Sequence, residues 1–180
     1  MNLYVMRHGT TFWNEKGIVQ GRSQNKLSPR GISLVEESAK NYENVSFDLF
    51  IVSPLMRTRQ TANIMQRNRK VKKIYDDRLL ETDEGFFTKF DKKYMTPEQR
   101  KLKKLRSKQA GMETYEEIWS RLADFFEYLK SLKEYNDVLV VTHGCCATLL
   151  QDMATNVKLD LDNRKTFDDF NNAEIKKFVI

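Results

Sequence analysis

Leu3-Tyr4-Val5-Met6-Arg7-His8-Gly9 opens this chain with an apolar run that ends in arginine, histidine and glycine. The pattern recurs far downstream as Val138-Leu139-Val140-Val141-Thr142-His143-Gly144. The chain has two histidines, and each stands at the end of an apolar run with glycine next. Packing alone gives no reason for that repetition. Side chains at the carboxyl ends of parallel strands face the crevice where α/β proteins hold ligands. The glycine behind each histidine is expected to let the backbone come close to an anion.

The intervening sequence alternates in type. Asp48-Leu49-Phe50-Ile51-Val52, stopped by Ser53-Pro54, predicts another buried strand, with further strands at Val71–Tyr75 and Ala173–Ile180. Helices are expected over Gly31–Tyr42, Leu55–Asn68, Thr114–Leu132 and Cys145–Ala154. In the third of these Thr114 and Glu117 have the spacing of a capping box, and Ile118, Leu122, Phe125 and Phe126 share one side. Such alternation predicts a mainly parallel sheet with helices on both faces. Thr10 to Pro29, polar and punctuated by Gly17 and Gly21, reads as a long functional loop. Residues 82–111 read as a cap inserted into a single domain spanning 1–180, with one helix from Pro97 to Gly111. Nine Lys or Arg residues fall between Lys89 and Lys108. They read as a solvated helical face or, with several facing inward, as a patch recognising extra substrate charge through Lys101, Lys104 and Lys108.

The 180 residues are 40% apolar and 31% charged, with a net charge of +6 and a sequence pI near 9.2. That balance suits an anionic partner. The basic stretch has few interleaved aromatics and no recognisable nucleic-acid module, so a small phosphorylated ligand is expected rather than nucleic acid. The cysteines, Cys145 and Cys146, are neighbours and make no disulfide framework. They offer no zinc-ligand spacing either. There is no cleavable signal and no apolar run near ~20 residues, so a cytoplasmic protein without a membrane partner is expected.

Four segments together resemble the phosphoglycerate mutase-like histidine phosphatases. Arg7-His8-Gly9-Thr10-Thr11-Phe12-Trp13-Asn14 is close to RHGxTxWN. Gln20-Gly21, with Leu27-Ser28-Pro29-Arg30-Gly31, is similar to QG…L[ST]xxG. Ser53 to Ala62 is close to SPLxRxxQTA, and Val141-Thr142-His143-Gly144 to V[ST]HG. The resemblance spans nearly the whole chain and implies a three-layer α/β/α sandwich.

It also implies chemistry. His8 matches a nucleophile that becomes phosphohistidine, and a neutral imidazole nitrogen is competent for that near neutral pH. Arg7, Arg57 and His143 match positions that neutralise the phosphoryl oxygens, His143 as a cation. Thr11, Asn14, Gln20, Gly21 and the Gly144 N–H match positions around the phosphate. Leu79-Leu80-Glu81-Thr82-Asp83-Glu84-Gly85 fits the segment that supplies the proton donor, with Glu81 in that role and Glu84 as the fallback. No metal and no cofactor is called for. The expected function is a metal-independent phosphomonoester hydrolase acting on a small phosphorylated metabolite. A cofactor-dependent phosphoglycerate mutase would share these residues, but the resemblance implies a longer insertion for it. A phospho-ligand binding module without turnover is the reading from another class, and the complete residue set speaks against it.

Overall fold

The structure, a computed structural model, describes residues 1–67, 69–159 and 169–180. Among them five strands form one sheet: β1 (Asn2–Arg7), β2 (Leu49–Val52), β3 (Lys72–Tyr75), β4 (Asp137–Thr142) and β5 (Ile175–Val179). Their order is β3-β2-β4-β1-β5. The first four are parallel, and β5 runs antiparallel along β1.

Side-chain alternation along the central strands creates the layers. Leu3, Val5, Leu49, Ile51, Val138 and Val140 join one core cluster with α5 (Tyr115–Ser131) and α6 (Gly144–Ala154). Tyr4, Met6, Phe50, Val52, Leu139 and Val141 join another with α2 (Pro29–Asn41) and α3 (Met56–Gln66). The three-layer α/β/α arrangement expected from sequence is present. In α5 the capping box of Thr114 and Glu117 forms, and Ile118, Leu122, Phe125, Phe126 and Leu129 are buried. Burying each such side chain stabilises the fold by roughly 1.5–3 kcal/mol. No helix among the described residues is long and apolar enough to cross a membrane.

Two segments depart from expectation. The stretch from Thr10 to Pro29 contains a one-turn helix, α1 (Phe12–Glu15), because Thr11 and Asn14 form a reciprocal cap. The basic helix α4 (Pro97–Lys104) stops before Gly111: Arg106 takes φ 48°, and a separate 3₁₀ turn, Lys108–Ala110, leads to Gly111. The helix expected to end at Asn68 runs from Met56 to Gln66, and Asn68 itself lies outside the described residues. Residues 82–111 add no strand to the sheet, and they share a small cluster of Val19, Phe87, Met95 and Met112.

The glycines near the first histidine serve packing. A Cβ on Gly31 would stand 1.9 Å from the Thr10 carbonyl oxygen, and one on Gly9 would stand 2.6 Å from Val35 Cγ2. Gly31→Ala must push α2 off the loop that follows β1. We expect a loss of roughly 3 kcal/mol, at the upper end of overpacking costs. That corresponds to a Tm lower by roughly 6–12 °C in a chain of this size. Thermal melts of the variant measure it, and an unchanged Tm would mean that this contact relaxes without cost.

Candidate active site

Register builds the site. β1 and β4 pair in parallel with Arg7 opposite Thr142, so His8 and His143 leave the sheet side by side. Their ring centroids are 5.3 Å apart. β2 pairs with β4 so that Val52 lies opposite Val141, which brings Ser53 alongside. Arg57 follows in the first turn of α3.

His8 is buried, and its ring is held at both nitrogens. Nδ1 is 2.7 Å from the Gly9 carbonyl oxygen, which can only accept, so Nδ1 carries the proton. Nε2 then has a lone pair, which accepts from Arg57 Nε at 3.2 Å. Burial, then the charges of Arg57 and Arg7, hold the His8 pKa well below its usual value, so the ring is neutral. Arg57 is fully buried, and its Nη1 and Nη2 donate to the carbonyls of Ser23 and Gly21, each at 2.9 Å. Burial lowers even its pKa to about 10. Gly21, at φ 49°, turns its carbonyl to Arg57 where a Cβ would crowd Thr88 and Glu84.

His143 is fully buried, with Nε2 2.8 Å from Ser53 Oγ and Nδ1 3.9 Å from Glu81 Oε2. It was expected as a cation beside a bound phosphoryl oxygen. Burial, and then Arg57, hold its pKa well below the usual value, so without a bound anion it is neutral. Ser53 was missed as a site residue, although it heads the segment that carries Arg57.

Glu81 follows a 3₁₀ turn at Asp77–Leu79. Its segment is tied to the sheet by Thr142 Oγ1 donating to the Leu79 carbonyl and Cys146 Sγ to the Leu80 carbonyl. Burial raises the Glu81 pKa, and the nearby Arg57 charge only partly offsets this. Glu84 is the opposite case. Burial would raise its pKa too, but Lys103 at 2.6 Å and Arg106 at 3.2 Å bring it below the ordinary carboxylate value. Of the two acids, Glu81 is the one suited to hold a proton.

A pocket of about 260 Å³ is lined by Arg7, His8, Glu81 and Gly144 and, on the loop side, by Asn14, Gln20 and Gly21; Arg57 and His143, both fully buried, are not on its wall and stand behind it against His8. Thr11, expected at the phosphate, is not on its wall. It is fully buried, and its hydroxyl lies 3.0 Å from Asn14 Oδ1 and 2.9 Å from Gln20 Oε1, so it orients these two lining amides. Gly9 is also corrected: its N–H donates to Thr61 Oγ1 at 3.1 Å and is not aimed at an anion. Gly144, at the start of α6, lies where a helix N-terminus favours negative charge. Among the described residues no three His, Cys, Asp or Glu side chains cluster to hold a metal ion.

The carboxyl ends of the parallel strands thus bring together a neutral histidine, two arginines and a protonatable carboxyl. The chain belongs to the histidine phosphatase superfamily (branch 1), whose family model matches residues 3–180. The uncharacterized phosphatase PhoE of Bacillus subtilis is 29% identical over 140 residues, 78% of this chain and 70% of the relative. The fructose-2,6-bisphosphatase TIGAR of Xenopus tropicalis is 33% identical over 144 residues, 71% of this chain. This chain spans only 49% of that relative's length. The mycobacterial glucosyl-3-phosphoglycerate phosphatase, solved with VO3, shares the fold with a TM-score of 0.82 at 22% identity, covering 98% of this chain and 91% of that one.

Proposed function

We propose that the protein is a phosphomonoesterase that works through a phosphohistidine on His8 Nε2, without a metal ion, on a small phosphorylated metabolite. The observation that carries this reading is the His8 ring, with its proton held on Nδ1 by the Gly9 carbonyl and its Nε2 lone pair facing Arg57. Relatives described as phosphatases support hydrolysis as the outcome.

In the proposed reaction a phosphoryl group enters between His8 and Arg57, and the guanidinium exchanges its bond to Nε2 for bonds to phosphoryl oxygens. Arg7 and the start of α6 add positive potential. Burial and then the nearby arginines keep His143 neutral; the incoming negative charge opposes both, so His143 gains a proton as the phosphoryl group binds. Nε2 attacks phosphorus, the ester P–O bond breaks, and Glu81 gives its proton to the leaving oxygen. Glu81, now a carboxylate, takes a proton from water. The hydroxide attacks phosphorus, and the P–N bond breaks to return the electron pair to Nε2 and release phosphate.

Charge neutralisation by Arg7, Arg57 and His143 takes the part that a divalent ion plays in metallophosphatases. Release of phosphate from a panel of phosphorylated metabolites should therefore survive excess chelator and be inhibited by vanadate. Activity lost in chelator and restored by magnesium or zinc would overturn metal independence. Adding 2,3-bisphosphoglycerate to the same panel tests the mutase reading, which requires phosphoryl transfer between positions without release of phosphate.

A further inference from the structure

A second cavity, also about 260 Å³, adjoins the active-site pocket. The two have Lys92, Lys103, Arg106 and Tyr115 in common, and the second adds Met95, Arg100 and Lys104. Its wall therefore carries five basic residues and no carboxylate. Glu84, the acid that serves Lys103 and Arg106, lines the first pocket alone.

These cations are not equally available. Arg106 is taken up by structure: it donates to the carbonyls of Glu113 and Asp83 and pairs with Glu84. Arg100 Nη2 donates to the Lys92 carbonyl at 2.7 Å. Lys103 lies 2.6 Å from Glu84 Oε2, but an ammonium has three donors and can serve a further anion. Lys92 and Lys104 make no ion pair among the described residues. The residues singled out from sequence divide differently. Lys104 is on this wall, whereas Lys101 is exposed and lines neither cavity, and Lys108 pairs with Glu117 on the surface.

The backbone at Lys92 is held against the loop that leads into the pocket. Asp91 bridges to Ile18, the Lys92 N–H donates to the Gly17 carbonyl at 3.1 Å, and Val19 and Phe90 pair at 2.9 Å. That loop continues directly into Gln20 and Gly21, which line the pocket. The backbone of Lys92 is thus tied to the loop that lines the pocket.

We propose that this basic annex receives a second anionic group of the substrate, so that the preferred class is a phosphomonoester carrying a distal phosphate or carboxylate. Lys92 and Lys103 at the junction, backed by Lys104, recognise the distal charge. The inference rests on the phosphomonoesterase reading above, and its test separates the two.

Three matched ligands suffice: n-butyl phosphate, 4-phosphonooxybutanoate and 1,4-butanediol bisphosphate. Their kcat/KM values are measured with the wild-type protein, and their binding to His8→Ala is measured by calorimetry. The doubly anionic ligands should be preferred by about fivefold or more, the upper range of one exposed charge pair. Lys92→Ala should remove about fivefold of that ratio, Lys92→Glu should abolish it, and raising the salt should narrow it. Lys101→Ala should leave it unchanged. A ratio near one in both turnover and binding, or an equal loss in Lys101→Ala and Lys92→Ala, overturns the annex. Hydrolysis of n-butyl phosphate with no preference leaves the phosphomonoesterase standing and removes the annex. Preferential binding of the bisphosphate without any turnover does the reverse.

Discussion

His8→Ala releases phosphate from every monoester at least roughly 10⁴-fold more slowly than the wild type, the scale on which loss of a covalent nucleophile acts. The expectation follows from the ring's geometry. Among the described residues it is His8 Nε2 that meets Arg57 Nε, at 3.2 Å, while the Nε2 of His143 lies against Ser53 Oγ at 2.8 Å. Arg7 and Arg57 remain in the variant, so substrate still binds while turnover fails. Brief mixing of wild type with a radiolabelled monoester should trap an acid-labile phosphoprotein that His8→Ala does not form. Turnover by His8→Ala near that of the wild type would falsify the assignment of the nucleophile.

Glu81→Gln should have the next largest effect, and it should depend on the leaving group. General-acid catalysis contributes about 10²–10⁴-fold where the leaving oxygen needs a proton. An alkyl phosphate should therefore slow by that factor, and a nitrophenyl phosphate, whose leaving group is a weak base, far less. The pH profile carries a second signature. Burial raises the Glu81 pKa, so the acid form survives to higher pH than an ordinary glutamate and is lost as pH rises through the raised value. His8 is held well below its usual pKa, so its lone pair persists as pH falls and is lost only on the acid side. Activity on alkyl phosphates should occupy the window between them, and Glu81→Gln should flatten its alkaline limb. Equal slowing of both substrates, or an unchanged limb, would return Glu81 to a structural role. The same loss in Glu84→Gln would move the acid there.

Much of this was legible from residues alone, for identifiable reasons. Apolar runs of four or five residues ending in His-Gly or Ser-Pro mark buried parallel strands and their ligand-facing ends, so His8, His143 and Arg57 could be located. The choice between Glu81 and Glu84 could not be made from spacing. It turns on Lys103 and Arg106, some twenty residues downstream, which fold back onto Glu84 alone. Thr11 was assigned to the ligand because sequence gives proximity without direction, and its hydroxyl turns inward to Asn14 and Gln20. Gly9 was credited with anion approach, although its neighbour Val35 lies on a helix twenty-six residues away. Ser53 was quoted within its motif but given no task, because the pairing that brings it to His143 is a property of the sheet. The basic run hid its own division, since a positive-φ residue at Arg106 breaks the expected helix and redirects the lysines.

The pairing of β1 with β4 has one more implication. Neighbouring strands sit about 4.8 Å apart whatever side chains they carry, and the two histidine rings, one residue beyond the pair, are separated by 5.3 Å. The spacing of the two histidines thus follows from the pairing of their strands. Lys92 and Lys104 of the proposed annex are exposed and lie outside the sheet, so they can be exchanged without touching that spacing. On the proposed reading, what the protein does to a phosphate and which phosphate it accepts are two separately adjustable variables, the first gauged by the sheet and the second by a few lysines.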